Sequence, residues 1–142
     1  MLAAKFPSGW ELYEKKQNPF FLLRRGDQYA TARTVMYIRV QALDGSLEEA
    51  VRRDEDDFRK DSPEVKILDE PSPEILEKGC LVKTQRFYYQ DGKTPVVDRA
   101  TKIAIGKLLL NVVISSDSDA EIERYKEDYE YLLRNIGWVM GP

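Results

Sequence analysis

The chain of 142 residues contains no histidine and only one cysteine. Without histidine it lacks the usual proton-transfer group near neutral pH, the Ser-His-Asp and Cys-His arrangements, and the commonest transition-metal ligand. A single cysteine, Cys80, excludes an intramolecular disulfide and a cysteine-rich zinc or iron–sulfur site. We interpret Cys80 as a small buried residue, because no histidine is present to activate a thiolate. We therefore predict no catalytic residue, no metal and no cofactor.

Long apolar runs are also lacking, so no segment reaches transmembrane length, and no signal peptide is recognisable. The opening segment MLAAKFPSGW resembles the start of an exported protein whose leader was replaced by a vector-derived Met1-Leu2. An ordinary cytosolic protein could begin in the same way. The expected location is therefore the periplasm, or the membrane as a processed lipoprotein, with the cytoplasm as the alternative.

The chain lacks a large excess of either charge: it has 22 basic and 25 acidic residues, for a net charge of −3. This balance argues against a dedicated nucleic-acid binder. Apolar residues make up 42% of the chain, which is typical of a globular protein. We expect a single domain over residues 1–142 that buries roughly two-thirds of its unfolded surface.

Hydrophobic periodicity predicts seven strands and two helices. Residues 34–43 alternate between apolar and polar side chains, as in a half-buried strand. Capping-box patterns begin a helix at Ser46 and another at Ser118, and we expect the second to keep Ile136 on its apolar face. The other predicted strands are 10–13, 20–24, 65–68, 80–89, 96–105 and 108–116. The fold class is thus α+β: a mostly antiparallel sheet of six to seven strands flanked by two main helices.

Several short phrases resemble the Mog/PsbP-like superfamily over nearly the whole chain. They are FPSGWE at Phe6–Glu11, DGSLEEA at Asp44–Ala50, VKILDE at Val65–Glu70, the strands at Gln85–Tyr89 and Lys107–Ser116, and the acidic closing helix. The resemblance implies an α/β/α sandwich. Members include photosystem II extrinsic subunits, a nuclear-transport GTPase regulator and bacterial envelope lipoproteins, and most bind proteins. The family supplies no shared active-site motif, and the envelope members are the most similar.

Two tight turns place a pair of arginines on one face of the sheet. If Tyr89 pairs with Val96 across the Asp91-Gly92 loop, Arg86 lies opposite Arg99, and the Gly106-Lys107 turn then places Arg99 beside Ile114. Like charges in this position need a neutralising group. That group is either a structural carboxylate or an external one. The structural carboxylate would come from the Glu74–Glu77 segment or from the closing helix, through Glu123, Glu127 or a neighbour; the external group would be a small anion or a partner's carboxylate. The candidate ligand-binding residues are Arg86, Arg99, Tyr88, Thr84 and Thr101.

Three other clusters have simpler interpretations. The acidic run Asp54–Asp57 is interpreted as a solvated helix face rather than a metal site, because neighbours on a helix point apart. The polar segment Ser115–Asp119 is interpreted as a turn and helix cap rather than a cation site. Trp10, Tyr13, Phe20 and Phe21 are expected to cover a sheet edge, with a sticky partner surface as the alternative.

Three functions remain in competition. The first is a non-enzymatic binding or assembly module of the bacterial envelope, whose partner is another protein. The second is a small-anion or small-molecule binder, or an enzyme acting on such a ligand, that uses Arg86 and Arg99. The third is a cytosolic regulator of a partner protein. The first is favoured, because it agrees with the resemblance and with the lack of a catalytic constellation.

Overall fold

A computed structural model describes residues 1–138, in which two antiparallel sheets combine with three helices. The main sheet has seven strands in the order β2-β3-β4-β8-β7-β6-β5, and β1 pairs with β9 in a small second sheet. The strands are β1 (Leu2–Ala4), β2 (Trp10–Tyr13), β3 (Phe20–Arg24), β4 (Val35–Ala42), β5 (Lys66–Glu70), β6 (Leu81–Asp91), β7 (Thr94–Ile105), β8 (Leu108–Ser116) and β9 (Ile136–Trp138). The helices are α1 (Leu47–Asp61), α2 (Asp119–Arg124) and α3 (Lys126–Arg134). The predicted α+β class is confirmed.

The helices cover opposite faces of the main sheet, because alternate residues of each strand point to opposite sides. On one face, the apolar sides of α2 and α3 pack on the centre of the sheet, where Ile103 and Leu110 are fully buried. On the other face, α1 packs its apolar side on Leu109, and the Phe58 ring stacks on Phe87 with centroids 4.6 Å apart. The result is the expected α/β/α sandwich.

Two glycine turns fix the register of β6, β7 and β8. Gly92 and Gly106 adopt positive φ angles of 64° and 58°, which tight two-residue turns require and which glycine adopts without a steric penalty. Tyr89 pairs with Val96 across the first turn, as predicted. Because the side-chain period of a strand is two, this pairing decides which residues share a face.

The end of the chain differs from its predicted course. The closing helix divides at Tyr125, and its second part stops at Arg134. Ile136 was predicted on the helix, which is wrong: it lies in β9 and pairs with Ala4 of β1. Helical spacing placed Ile136 on the buried face, and the structure buries it through a strand instead. Leu2, which was taken for a vector residue, pairs with Trp138.

Both predicted helix starts are capped by serine. The Ser46 hydroxyl accepts a hydrogen bond from the Glu49 amide at 3.1 Å. The Ser118 hydroxyl accepts one from the Glu121 amide at 3.2 Å. Each bond satisfies an amide that the first turn of a helix leaves without a partner. None of the helices within residues 1–138 combines the length and apolar character needed to cross a membrane.

A chain of hydroxyl groups runs through the sheet beneath α3. The Tyr129 hydroxyl donates to the Val112 carbonyl oxygen at 2.7 Å and lies 2.8 Å from Thr101 Oγ1. Thr101 Oγ1 lies 3.0 Å from Thr84 Oγ1, which lies 3.0 Å from Ser72 Oγ. We call these four side chains the hydroxyl chain. Buried hydroxyls need such partners, so the chain fixes α3 and the loop at Ser72 to the sheet.

We expect Tyr129→Phe to lower the free energy of unfolding by about 1–3 kcal/mol, because it removes the donor to the buried Val112 carbonyl. Urea denaturation measures the change. The matched control is Tyr131→Phe, since Tyr131 is on the same helix but 38% exposed. That variant should stay within about 0.5 kcal/mol of the wild type. Equal losses in both variants would contradict a structural role for the hydroxyl chain.

Candidate functional site

The two arginines lie side by side on the α2–α3 face of the sheet. Arg86 pairs with Arg99 across β6 and β7, as the sequence predicted, and the residues are only 8% and 7% exposed. Arg86 Nε lies 2.8 Å from Glu70 Oε1, and its Nη1 lies 2.7 Å from Asp119 Oδ1. Its Nη2 also approaches Glu123 Oε1 at 3.7 Å. Arg86 is therefore neutralised by carboxylates of this chain.

The local sequence explains how two of these carboxylates arrive. Glu70 is the last residue of β5 and pairs with Thr84, which places it diagonal to Arg86 on the same face. Asp119 is the first residue of α2, directly after its cap, where an acidic side chain is favoured by the helix dipole. Burial by itself would lower the pKa of Arg86, but the carboxylates of Glu70 and Asp119 raise it above its ordinary value. Arg86 is thus firmly charged.

Arg99 has a different environment. Its Nε is buried and makes no hydrogen bond with the described residues, and it lies 3.7 Å from Glu70 Oε1. Its guanidinium carbon lies 5.4 Å from the centre of the Tyr129 ring, a cation–π distance. Glu70 is closer to Arg86 than to Arg99, so Arg99 remains the less satisfied of the two cations.

A cavity of about 300 Å³ opens beside the two arginines, and we call it the arginine cavity. The Pro71–Pro73 loop forms one wall. Side chains from the helices form the other, namely Glu123, Lys126 and Glu130. The Ser72 hydroxyl is held 3.0 Å from Thr84 Oγ1, and the two prolines restrict the loop backbone. The cavity is therefore lined by side chains of both charge signs and has a stiff wall.

The five predicted ligand-binding residues do not all reach this cavity. Arg86 and Arg99 line it. Thr84 and Thr101 are fully buried in the hydroxyl chain below it. The Tyr88 hydroxyl instead donates to Asp119 Oδ1 at 3.0 Å, and burial together with that carboxylate raises the pKa of Tyr88. The proposal that these residues bind a ligand accordingly rests on the two arginines.

The sequence predicted that the closing helix, through Glu123, Glu127 or a neighbour, would supply a carboxylate, and Asp119 and Glu123 of α2 do approach Arg86. Glu70, which makes the other short contact, was not predicted, and the suggested Glu74–Glu77 segment does not supply one. Glu77 instead accepts a hydrogen bond from the Trp138 amide at 3.0 Å. Placing Glu70 beside Arg86 required extending β5 by two residues beyond 68 and also pairing it with β6 in the observed register. Asp119 could have been singled out as a candidate from its position directly after the predicted helix cap at Ser118.

The α1 face of the sheet carries a second polar group. Asp98 is 3% exposed, and its Oδ2 accepts a hydrogen bond from the Tyr89 hydroxyl at 2.8 Å. Burial raises the pKa of Asp98, although the Ser115 and Tyr89 hydroxyls oppose the rise. Lys102, also 3% exposed, pairs with Asp54 at 2.7 Å. Asp54 was predicted on a solvated face, which is wrong: it is half-buried because it neutralises Lys102.

The predicted N-terminal aromatic cluster divides between the two faces of the sheet. Trp10 is buried on the α2–α3 face, where its Nε1 donates to Asp128 Oδ2 at 2.9 Å, and Phe20 packs in the same core. On the α1 face lie four half-buried rings that we call the aromatic patch. Tyr29 stacks on Tyr13 at 4.7 Å and meets Phe21 at 5.1 Å, and Phe21 lies 5.4 Å from Tyr37.

The aromatic patch has a cationic border. Lys16 Nζ lies 4.8 Å from the centre of the Tyr29 ring. Arg39 is exposed and shares a strand face with Tyr37, since the two are separated by one residue in β4. Within residues 1–138, no group of three or more His, Cys, Asp or Glu side chains is arranged to hold a metal ion. The described surface therefore offers an aromatic patch and a charged cavity as candidate binding sites.

Comparison with known proteins identifies the fold. No known family profile and no curated protein matches the sequence. Among solved structures, LpqN of Mycobacterium tuberculosis, which is involved in cell envelope biogenesis, is similar with a TM-score of 0.69 and 10% identity over 96% of this chain and 82% of LpqN. A Pseudomonas aeruginosa protein of unknown function is similar with a TM-score of 0.65 and 13% identity, over 95% of this chain and 99% of that protein. PsbP of Synechocystis is similar with a TM-score of 0.60 and 10% identity, over 97% of this chain and 92% of PsbP. The chain has a PsbP-like fold.

The contacts of the arginines predict unequal stability losses. Arg86→Gln should lower the free energy of unfolding by about 2–4 kcal/mol, because it leaves Glu70 and Asp119 without their closest cation. Arg99→Gln should cost about 1 kcal/mol, because Glu70 keeps Arg86 as a partner. Urea denaturation of both variants measures the difference. A larger loss for Arg99→Gln would contradict the assignment of Arg86 as the structural arginine.

The burial of Asp98 should make the free energy of unfolding depend on pH. Its pKa is raised in the folded protein above the ordinary 3.8, so the folded state binds the proton more tightly than the unfolded state. The stabilising contribution is complete below the unfolded pKa and is lost as the pH rises through the folded pKa. Relative to Asp98→Asn, the wild type should therefore lose stability as the pH rises from about 4. Asp57→Asn, at an exposed position on α1, is the control and should leave the wild-type pH profile unchanged.

Proposed function

We propose that the chain, as a single domain over residues 1–142, is a non-enzymatic binding module that acts outside the cytoplasm and has another protein as its partner. Its PsbP-like fold supports this proposal, since similar structures include LpqN, which is involved in cell envelope biogenesis. We further propose that it belongs with the envelope members of the Mog/PsbP-like superfamily. Contact between the chain and its partner is assigned to the aromatic patch.

The aromatic patch is the observation that carries the proposal. Tyr13, Phe21, Tyr29 and Tyr37 are only half-buried although each ring contacts the next in one continuous series. Rings of this kind supply large contact areas in protein interfaces, and hot spots are enriched in tyrosine. α1 packs mainly over β6 and β7, whereas the patch lies on β2, β3 and β4 and on Tyr29. Tyr37 also packs against the cluster that Phe58 of α1 covers, so the part of the patch most accessible to a partner is formed by Tyr13, Phe21 and Tyr29.

The border of the patch indicates the chemistry of that partner. Lys16 and Arg39 have no ion pair within 4 Å among residues 1–138. A segment with apolar side chains for the rings and acidic side chains for these two cations would complement the patch. The proposed partner is therefore a protein that presents an acidic, partly apolar surface.

A photo-crosslinking amino acid at position 29 tests the proposal in cells that express the gene from its natural locus. We expect a discrete protein adduct in the extracytoplasmic fraction. The matched control is the same photo-crosslinking amino acid in place of Tyr131, which is also a tyrosine and is 38% exposed on α3. Charge reversal by Lys16→Glu with Arg39→Glu should reduce the adduct by about tenfold or more, because it would place like charges across the interface.

Two outcomes would count against parts of the proposal. Equal adducts at positions 29 and 131, or a yield that the charge reversal leaves unchanged, would reject the aromatic patch as the binding surface. An adduct recovered from the cytosol would reject the compartment and favour a cytosolic regulator. Thermal melting of the double variant is the folding control, since Lys16 and Arg39 are both exposed.

A further inference from the structure

Arg99 lacks a full set of acceptors from the described residues. Its side chain is 8% exposed, its Nε makes no hydrogen bond, and the Glu70 oxygen near it lies 3.7 Å away. A guanidinium that is taken out of water without such bonds is costly, because the lost hydration is not replaced. Arg86 does not share this deficit, since two carboxylates contact it within 2.8 Å. Nε itself is enclosed, so an acceptor from outside the chain would instead contact the part of Arg99 that lines the cavity.

The mouth of the arginine cavity carries uncommitted charges of both signs. Lys126 and Glu130 line it, and neither forms an ion pair within 4 Å in the described part of the chain. Glu123 reaches Arg86 only at 3.7 Å and is otherwise exposed. A simple anion would be attracted by Arg99 but repelled by the carboxylates of Glu123 and Glu130 at the mouth. A ligand with both charges would be attracted at both ends.

The dimensions of the cavity limit the ligand to a small molecule. Its volume of about 300 Å³ lies at the lower end of the range for small-molecule sites. The wall at Pro71 and Pro73 is restricted by the proline rings and by the Ser72 contact with Thr84. A stiff wall reduces the entropy lost on binding. The site therefore has the size and rigidity for one compact ligand.

We propose that the arginine cavity binds a small zwitterion of the free α-amino-acid class. The ligand carboxylate accepts hydrogen bonds from the Arg99 guanidinium, whose planar fork suits a carboxylate. The ligand ammonium group lies toward Glu123 and Glu130 at the mouth. This assignment is independent of the aromatic patch, which lies on the other face of the sheet.

Isothermal titration calorimetry with the standard L-amino acids tests the site on the purified chain. We expect at least one to bind with a Kd of about 1 mM or tighter. The N-acetyl derivative of that amino acid lacks the ammonium charge, and its C-terminal amide lacks the carboxylate. Each should bind about tenfold more weakly or worse, as expected for loss of a charged contact.

Variants of the chain identify the residues that bind. Arg99→Gln should weaken binding about tenfold or more, and Glu130→Gln should weaken it to a smaller extent. Arg52→Gln, an exposed arginine on α1, is the matched control and should leave the Kd unchanged. If Arg99→Gln does not fold, Glu130→Gln together with the two ligand derivatives still tests the site, because Glu130 lies at the mouth.

Three results would overturn the proposal. If none of the standard L-amino acids binds with a Kd of about 1 mM or tighter, the cavity does not recognise this class of ligand. The N-acetyl derivative binding as tightly as the parent would mean that the site accepts plain anions. Binding that is unchanged in a folded Arg99→Gln variant, or in Glu130→Gln, would place the ligand elsewhere.

Discussion

The juxtaposition of Arg86 and Arg99 is the constraint on which much of this structure depends. The glycine turns fix the register of three central strands, and that register puts two cations opposite each other. Their repulsion is relieved by Glu70 from an edge strand and Asp119 from the first turn of a helix. One arginine thereby joins the edge of the sheet, its centre and the α2–α3 layer, which are distant from one another in the sequence.

Turn signals and alternation were sufficient to predict the arginine pair, because both are local. Gly92 marks the turn between β6 and β7, and the pairing of Arg86 with Arg99 follows from the register that this turn sets. The carboxylate of Glu70 required a further fact, namely that β5 pairs with β6, and no turn between them specifies that pairing. The antiparallel contact between β1 and β9 was missed for the same reason: Ile136 continues a helical spacing, and only a distant strand explains why the helix stops before it.

The two faces of the sheet differ in how far they bury their aromatic side chains. Trp10 and Tyr13 are three residues apart in one strand, so period-two alternation sends them to opposite sides. Trp10 is enclosed beneath the helices, where Asp128 accepts its indole hydrogen. Tyr13 faces the side where α1 covers only part of the sheet. The same alternation separates a region specialised for packing from one that remains available for contact.

The pairing of β4 with β8 has a consequence for the newly made chain. These central strands are adjacent in the sheet but far apart in the sequence, and Val35 meets Ser115 only after almost the whole of β8 has been synthesised. Until the ribosome has delivered β8, the segment β2-β3-β4 has an open hydrogen-bonding edge and exposed aromatic rings. Such intermediates are prone to aggregate, and nonlocal pairing slows folding. The topology thus makes early synthesis the period in which this protein most needs protection by a chaperone.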